Sequence, residues 1–294
     1  MFVQLGIRNY CTVKIQQMTI ESTDLQNSTD PAITYSECYQ QCFCSDNLDL
    51  MKTIESNTVD LIYCDILYGT GRKFADYQDL KPIRSEIESH YIPRIKEMHR
   101  ILKQTGSIYL QMDTRINHWM RCLMDDIFGY ERFLNEIIWG YRIQGVSKSK
   151  YPSKHDHILY YSKTEKRTYK PEKERIYYEK QFFDVLTDEN GRFYSDVYVR
   201  DIWDCDITKP LISGSKEYLK YNTQKPKALI ERIIKTSSNE GDLVADFYSG
   251  SFTTAEVCKD LKRNFIGCDI NPNCLEKAKE RGLFSFTDEP TNVD

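Results

Sequence analysis

Acidic residues stand at the tips of three apolar runs in this 294-residue chain. In LVADFYSGSFTT a buried strand is expected to end at Asp246, and the chain then turns through Ser249, Gly250 and Ser251 into a helical stretch, TAEVCKDL. In a doubly wound sheet, ligands sit at the carboxyl ends of the strands, where a glycine in the turn lets backbone approach them. Asp269 closes the next run, FIGCDIN, where a carboxylate can accept hydrogen bonds from both hydroxyls of a ribose. The intact GxGxxG fingerprint is absent, so a dehydrogenase has little support. Asp65 ends the run VDLIYCDI and is followed by Tyr68 and a glycine-rich turn. YNTQKP opens the helix before the Asp246 strand. Its Thr223 and Gln224 are polar and its Lys225 cationic, and a helix N-terminus adds partial positive charge that suits a carboxylate. Strand caps and a core tyrosine account for each tip taken alone. Together they point to an adenosyl-type cofactor.

The elements that must position these tips follow from periodicity. Continuous apolar runs at 59–66, 107–112, 136–141, 158–162, 243–248 and 265–270 suit strands covered on both faces. Amphipathic stretches alternate with them, which predicts a parallel α/β sheet wound with helices. PRIKEMHRILK predicts a helix over 93–103 with Gly106 as its stop, and places His99 in packing rather than chemistry. Residues 119–127 and 227–236 read as helices too. Residues 1–30 are polar and read as an N-terminal extension, while 165–220 lack a clean period and read as an insertion. Between Lys148 and Lys180 ten basic residues face five acidic ones, a positive stretch in a chain of net charge −4. No apolar run reaches the roughly 18–20 residues of a membrane span, and no signal peptide is apparent, so a cytoplasmic protein is expected. The ten cysteines include no CxxC pair, which predicts reduced thiols and no metal site.

The tracts TQKP, DFYSGSFTT and FIGCDIN, preceded far upstream by DILYG, resemble the beta-class S-adenosylmethionine-dependent amino-methyltransferases of DNA, in that family's permuted order. SDNLDLMKTIESNTVDLIYCD, HRILKQTGSIYLQMD and NEIIWGY followed by KHDHILYYSK match as well, so the likeness spans roughly residues 36–282. It implies a Rossmann-like doubly wound sheet, with the catalytic domain at 31–164 and 221–285, a target-recognition insertion at 165–220 and a tail at 286–294. Asp65 would accept a hydrogen bond from the target amino group, with the Ile66 carbonyl as a second acceptor. Tyr68 would stack on the flipped base, worth about 1–3 kcal/mol against an extrusion cost of a few. Asp269 would hold the ribose and Asp46 the cofactor's adenine. Thr223 and Lys225 would hold the methionine carboxylate, and Asp246, Phe247, Tyr248 and Gly250 would wall the pocket.

The implied cofactor is S-adenosyl-L-methionine, and the implied partner is duplex DNA, gripped by Lys148, Lys150, Lys154, Lys166 and Arg167. A homodimer and a cognate restriction endonuclease belong to the same expectation. No Pro-Cys pair occurs, which disfavours a ring-carbon methyltransferase, and a leading Asp favours adenine N6 over cytosine N4. N4-cytosine transfer, an RNA or protein-glutamine substrate, and a non-catalytic module of the same fold stay open as alternatives. The family signature Asp-Pro-Pro-Tyr reads Asp-Ile-Leu-Tyr here, which would loosen the backbone by about 0.4–1 kcal/mol per lost proline. Phe252 stands where a second glycine is usual. The expectation is that its turn either keeps to ordinary φ or alters the pocket.

Overall fold

The computed structural model describes residues 38–73, 78–141, 147–204, 209–211, 214–221 and 223–283. The expected extension at 1–30 and tail at 286–294 lie outside the described residues. An eight-stranded sheet organises the chain. Its strands are β1 (Gln40–Cys44), β2 (Val59–Asp65), β3 (Leu102–Met112), β4 (Phe133–Gly140), β5 (His155–Ser162), β9 (Ile202–Trp203), β10 (Leu243–Asp246) and β11 (Asn264–Asp269), in the order β1-β11-β10-β2-β3-β5-β4-β9. All six apolar runs of the sequence are strands. From β1 to β3 every pairing is parallel, whereas β5 runs antiparallel to both β3 and β4. The sheet is therefore Rossmann-like and mostly rather than wholly parallel. Burial on both faces, which gives the strands their continuous apolar character, is the same in either orientation and so conceals strand direction.

Helices α1 (Asn47–Thr53), α2 (Arg84–Ile101) and α3 (Asn117–Phe128) share one apolar core with one face of the sheet. Helices α4 (Lys227–Ser237), α5 (Thr253–Asp260) and α6 (Cys274–Glu280) share the other. Helix α2 corrects the sequence reading. It starts at Arg84, nine residues before the expected start at Pro93, and yields at Leu102 to β3, so that Gly106 lies within a strand. Proline is common at a first helical position, but here it lies inside the helix. The carbonyl that its missing N–H would have bonded belongs to Ser89, an exposed residue, where water can take the place of the lost donor. His99 packs edge-on against Phe128, with ring centroids 4.8 Å apart.

The aperiodic region holds a three-stranded antiparallel sheet of β6 (Lys173–Tyr178), β7 (Leu186–Thr187) and β8 (Phe193–Tyr198), after which β9 joins the edge of the main sheet beside β4. Strand β6 alternates exposed and half-buried positions. Its outer residues are cationic or aromatic and meet aromatics across the ladder. Arg175 lies 3.7 Å from the Tyr194 ring centroid, and Lys173 lies 5.4 Å from that of Tyr198. Charged residues at these positions masked the alternation in the sequence.

Candidate active site

Three carboxylates end parallel strands, Asp65 on β2, Asp246 on β10 and Asp269 on β11, and all three open on one cavity of about 680 Å³. The volume falls in the usual range for a small-ligand site. Asp46, Ile66, Tyr68, Thr223 and Lys225 line the same cavity, as do Phe247, Tyr248 and Gly250. Every catalytic and cofactor-side residue singled out in the sequence thus converges on one space.

At the cofactor end, Asp269 accepts the Gly250 N–H (2.8 Å) at one oxygen and the Asn271 N–H (2.9 Å) at the other. The Ile270 N–H is a further backbone donor to the same carboxylate. Gly250 has φ +52°, and a Cβ there would come within 3.2 Å of the Tyr221 ring, so both conformation and space call for glycine. Asp246 accepts the Thr254 hydroxyl (2.6 Å) and the Tyr248 N–H (3.0 Å), and burial pushes its pKa up to about 7. Burial likewise raises the pKa of Asp269 and of Asp65. Asp46 caps α1 through the Leu48 N–H (2.8 Å) and pairs with Arg94 at 2.9 Å. Its carboxylate is therefore held in place by the protein itself. Arg94 also donates to Asn47 (2.6 Å), whose amide donates to the Phe247 carbonyl (3.0 Å), tying α1, α2 and the post-β10 turn together. Burial pushes His90, 3.3 Å from the Tyr248 hydroxyl, down to about 4, so the imidazole is neutral at pH 7.

Two departures from the family pattern resolve structurally. The Asp-Ile-Leu-Tyr backbone is fastened by hydrogen bonds instead of prolines. Ile66 donates its N–H to the Gln111 carbonyl (3.1 Å), a bond that proline could not make, and Tyr91 donates its hydroxyl to the Leu67 carbonyl (3.0 Å). The buried Asp79 then accepts the Gly69 and Thr70 amides (3.2 and 2.8 Å). Phe252 takes the left-handed conformation (φ 56°, ψ 34°), so of the two expected outcomes, an ordinary φ or an altered pocket, the first does not hold. Its ring is wholly buried, edge-on to Phe265, and is not among the cavity's lining residues. The pocket is therefore not plugged.

Lys225 departs from expectation as well. Its ammonium is bound to Asp65 and lies 5.4 Å from the centre of the Tyr68 ring, so it is engaged with the carboxylate at the tip of β2 rather than free for a ligand carboxylate. Gln224 fixes the preceding loop, donating to the Glu217 carbonyl (2.6 Å) and accepting the Leu219 N–H (2.9 Å). Tyr68 donates toward Asp65 (2.8 Å) and toward Asp156 (2.7 Å). Sequence reading missed Asp156. A charged residue beside a buried strand reads as a boundary, and only the fold shows it beneath the cavity.

The five basic residues proposed for DNA divide between the two ends of the sheet. Lys148, Lys150 and Lys154 precede β5 at the end where Asp156 lines the cavity. Lys166 and Arg167 follow β5 at its other end. There Thr164 bonds the Gln104 carbonyl, and Thr168 the Thr105 carbonyl, near the start of β3. An eight-residue strand, about 25 Å, separates the groups. Lys166 and Arg167 are thus removed from the site-side basic cluster.

With this geometry in place, known proteins bear on it directly. A DNA methylase family model, of the N6/N4 class, matches residues 59–280. The chain belongs to that family. This N6/N4 DNA methylase is 32% identical over 243 residues to the type II methyltransferase M.HpaI of Haemophilus parainfluenzae, covering 82% of this chain and 74% of that protein. It is 30% identical to the DNA adenine methyltransferase YhdJ of Escherichia coli, over 80% of each chain. The fold of the methylase matches the solved structure of PvuII DNA methyltransferase (cytosine-N4-specific) with TM-score 0.61 at 17% identity, over 85% of this chain and 90% of that one. It also matches the M1.HpyAVI–SAM complex with TM-score 0.55 at 20% identity, over 83% and 99% of the two chains. The methylase uses S-adenosylmethionine, and the glycine cradle and the cavity-lining carboxylate of Asp269 suit its ribose. Among the described residues no helix is long and apolar enough to cross a membrane.

Proposed function

We propose that this methylase transfers a methyl group to the N6 amino group of an adenine swung out of duplex DNA. The observation that carries the reading is that Asp65 and Asp269 line one cavity, which supports an amine acceptor and a ribose acceptor sharing a single space. S-adenosylmethionine supplies a methyl group activated by a sulfonium. The protein's own part is positional. Asp65 accepts a hydrogen of the amino group, and the Ile66 carbonyl accepts the other, drawing the nitrogen lone pair out of conjugation with the ring. Lys225 opposes the desolvation that would neutralise Asp65. Tyr68 stacks on the extruded base. Asp269 takes the ribose hydroxyls, Asp46 faces the adenine end, and Phe247, Tyr248, Gly250 and Asp246 wall the cavity between them. Thr223 and the uncapped N–H groups opening α4 take the methionine carboxylate, with Lys225 engaged elsewhere.

Adenine is supported by the leading carboxylate and by the name of YhdJ, a relative over 80% of the chain. Duplex DNA is supported by Lys148, Lys150 and Lys154 at the cavity end, and the type II names of several relatives support a cognate restriction endonuclease. The test is tritium transfer from labelled S-adenosylmethionine to unmethylated genomic duplex DNA, with modified-base sequencing of the product. Asp65→Ala is expected to lower transfer at least about 100-fold while calorimetric cofactor binding stays within about threefold. Wild-type transfer by that variant overturns the role of Asp65, and N4-methylcytosine in the product overturns the adenine assignment.

A further inference from the structure

Asp156 is a buried carboxylate, 4% exposed, on the second residue of β5. Among the described residues it has no ion-pair partner. Three neutral donors converge on it instead, the hydroxyls of Tyr68 (2.7 Å) and Tyr141 (3.2 Å) and the Gln111 amide (3.1 Å). Gln111 is itself oriented by the Tyr63 hydroxyl, which donates to its Oε1 at 2.8 Å. An apolar residue would serve stability better than a carboxylate with no counter-charge. What the carboxylate does hold is the Tyr68 ring, and it holds it by the hydroxyl.

The hydroxyl of Tyr68 has one hydrogen and two carboxylate neighbours, Asp65 Oδ1 at 2.8 Å and Asp156 Oδ2 at 2.7 Å. Both contacts are attractive only when a second proton resides within the Asp65–Tyr68–Asp156 chain. The three side chains therefore form one unit, in which the ring's orientation and the charge at Asp65 depend on each other.

We propose that Asp156 is a positioning residue for methyl transfer, acting through the Tyr68 hydroxyl to fix the ring on which the target base packs. The proposal rests on the roles given above to Asp65 and Tyr68. It adds a residue on a different strand, whose carboxylate meets the same Tyr68 hydroxyl that Asp65 does. The groups that face Asp65 are Lys225 ahead of α4, Tyr63 on its own strand, Tyr68, Asp246 on β10 and Asp156 on β5. Of these Lys225 favours the charged carboxylate, whereas the charge of Asp156 disfavours it. Removing the charge of Asp156 lets Asp65 ionise at lower pH.

The experiment is a double-mutant cycle of Asp156→Asn and Tyr68→Phe. It is assayed with tritiated S-adenosylmethionine and unmethylated genomic duplex DNA, and calorimetric cofactor binding reports folding. Each single variant is expected to lose about tenfold to a hundredfold in kcat, with KM for the cofactor within about twofold. The double variant is expected to be no slower than the worse single one, because a neutral amide weakens the acceptor for the Tyr68 hydroxyl and phenylalanine removes the donor, so both changes act on the same link. The acidic limb of the Asp156→Asn rate profile should move to lower pH. Losses that multiply in the double variant, or wild-type kcat in Asp156→Asn, overturn the proposal. Should Asp156→Asn fail to bind cofactor, Tyr141→Phe, which removes a donor from the same carboxylate, replaces it in the cycle, and multiplying losses there count equally against the proposal. Asp65→Ala, run in parallel, separates the two levels. Wild-type transfer by that variant removes the underlying reading, whereas its inactivity beside multiplying losses removes the role of Asp156 alone.

Discussion

Phe252 holds a backbone conformation that side chains rarely adopt, at a cost of about 1–2 kcal/mol, and does so in the turn after β10 that borders the cavity. Burial of its ring beside Phe265 offsets that cost. The residue thus serves the second core, behind the turn, and the cofactor space is shaped by its neighbours Gly250, Ser251, Thr253 and Thr254. Phe252→Gly should relieve the strain yet lose the ring, for a net destabilisation of about 2–3 kcal/mol in urea titration. Cofactor affinity by calorimetry should stay within about threefold. A large loss of affinity without loss of stability would mean that the ring shapes the pocket after all. The same separation of duties applies at Ile66, where an N–H that proline lacks holds the signature to β3.

Strand β5 sorts the positive charge of this methylase. Because it runs antiparallel, the segment before it emerges beside the carboxyl tips of β2 and β3, while the segment after it emerges at their amino ends. Lys148 and Lys150 therefore stand on the cavity side, and Lys166 and Arg167 do not. Lys148→Glu with Lys150→Glu should weaken duplex binding about tenfold to a hundredfold in filter binding and reduce the salt slope by about two. Lys166→Glu with Arg167→Glu should change binding by less than about twofold. Equal losses from both pairs would mean that the duplex wraps round the sheet edge.

At the scale of the molecule, the sheet gathers Asp65, Asp246 and Asp269 at one end, and burial raises the pKa of each. A carboxyl whose folded pKa is raised favours the folded state while protonated, and the advantage fades as pH rises through the folded value. For Asp246 the window runs from the ordinary 3.8 up to about 7. The urea midpoint should therefore fall between about pH 4 and pH 7, by an amount worth roughly a few kcal/mol. Asp246→Asn should flatten that decline, and an unchanged slope would place the titration elsewhere. Part of this design was legible in the chain alone. Unbroken apolar runs disclosed six of the eight strands of the main sheet, and acids at run ends disclosed the cavity's rim, because burial and strand tips are set by local residue type. Three things were decided only by tertiary contact. The direction of β5 leaves no trace in a strand buried on both faces. The partner of Lys225 depends on a carboxylate 160 positions away. Asp156 gains its meaning from a tyrosine 88 positions earlier. Periodicity records which face of an element is covered, and carries no information about which distant side chain covers it.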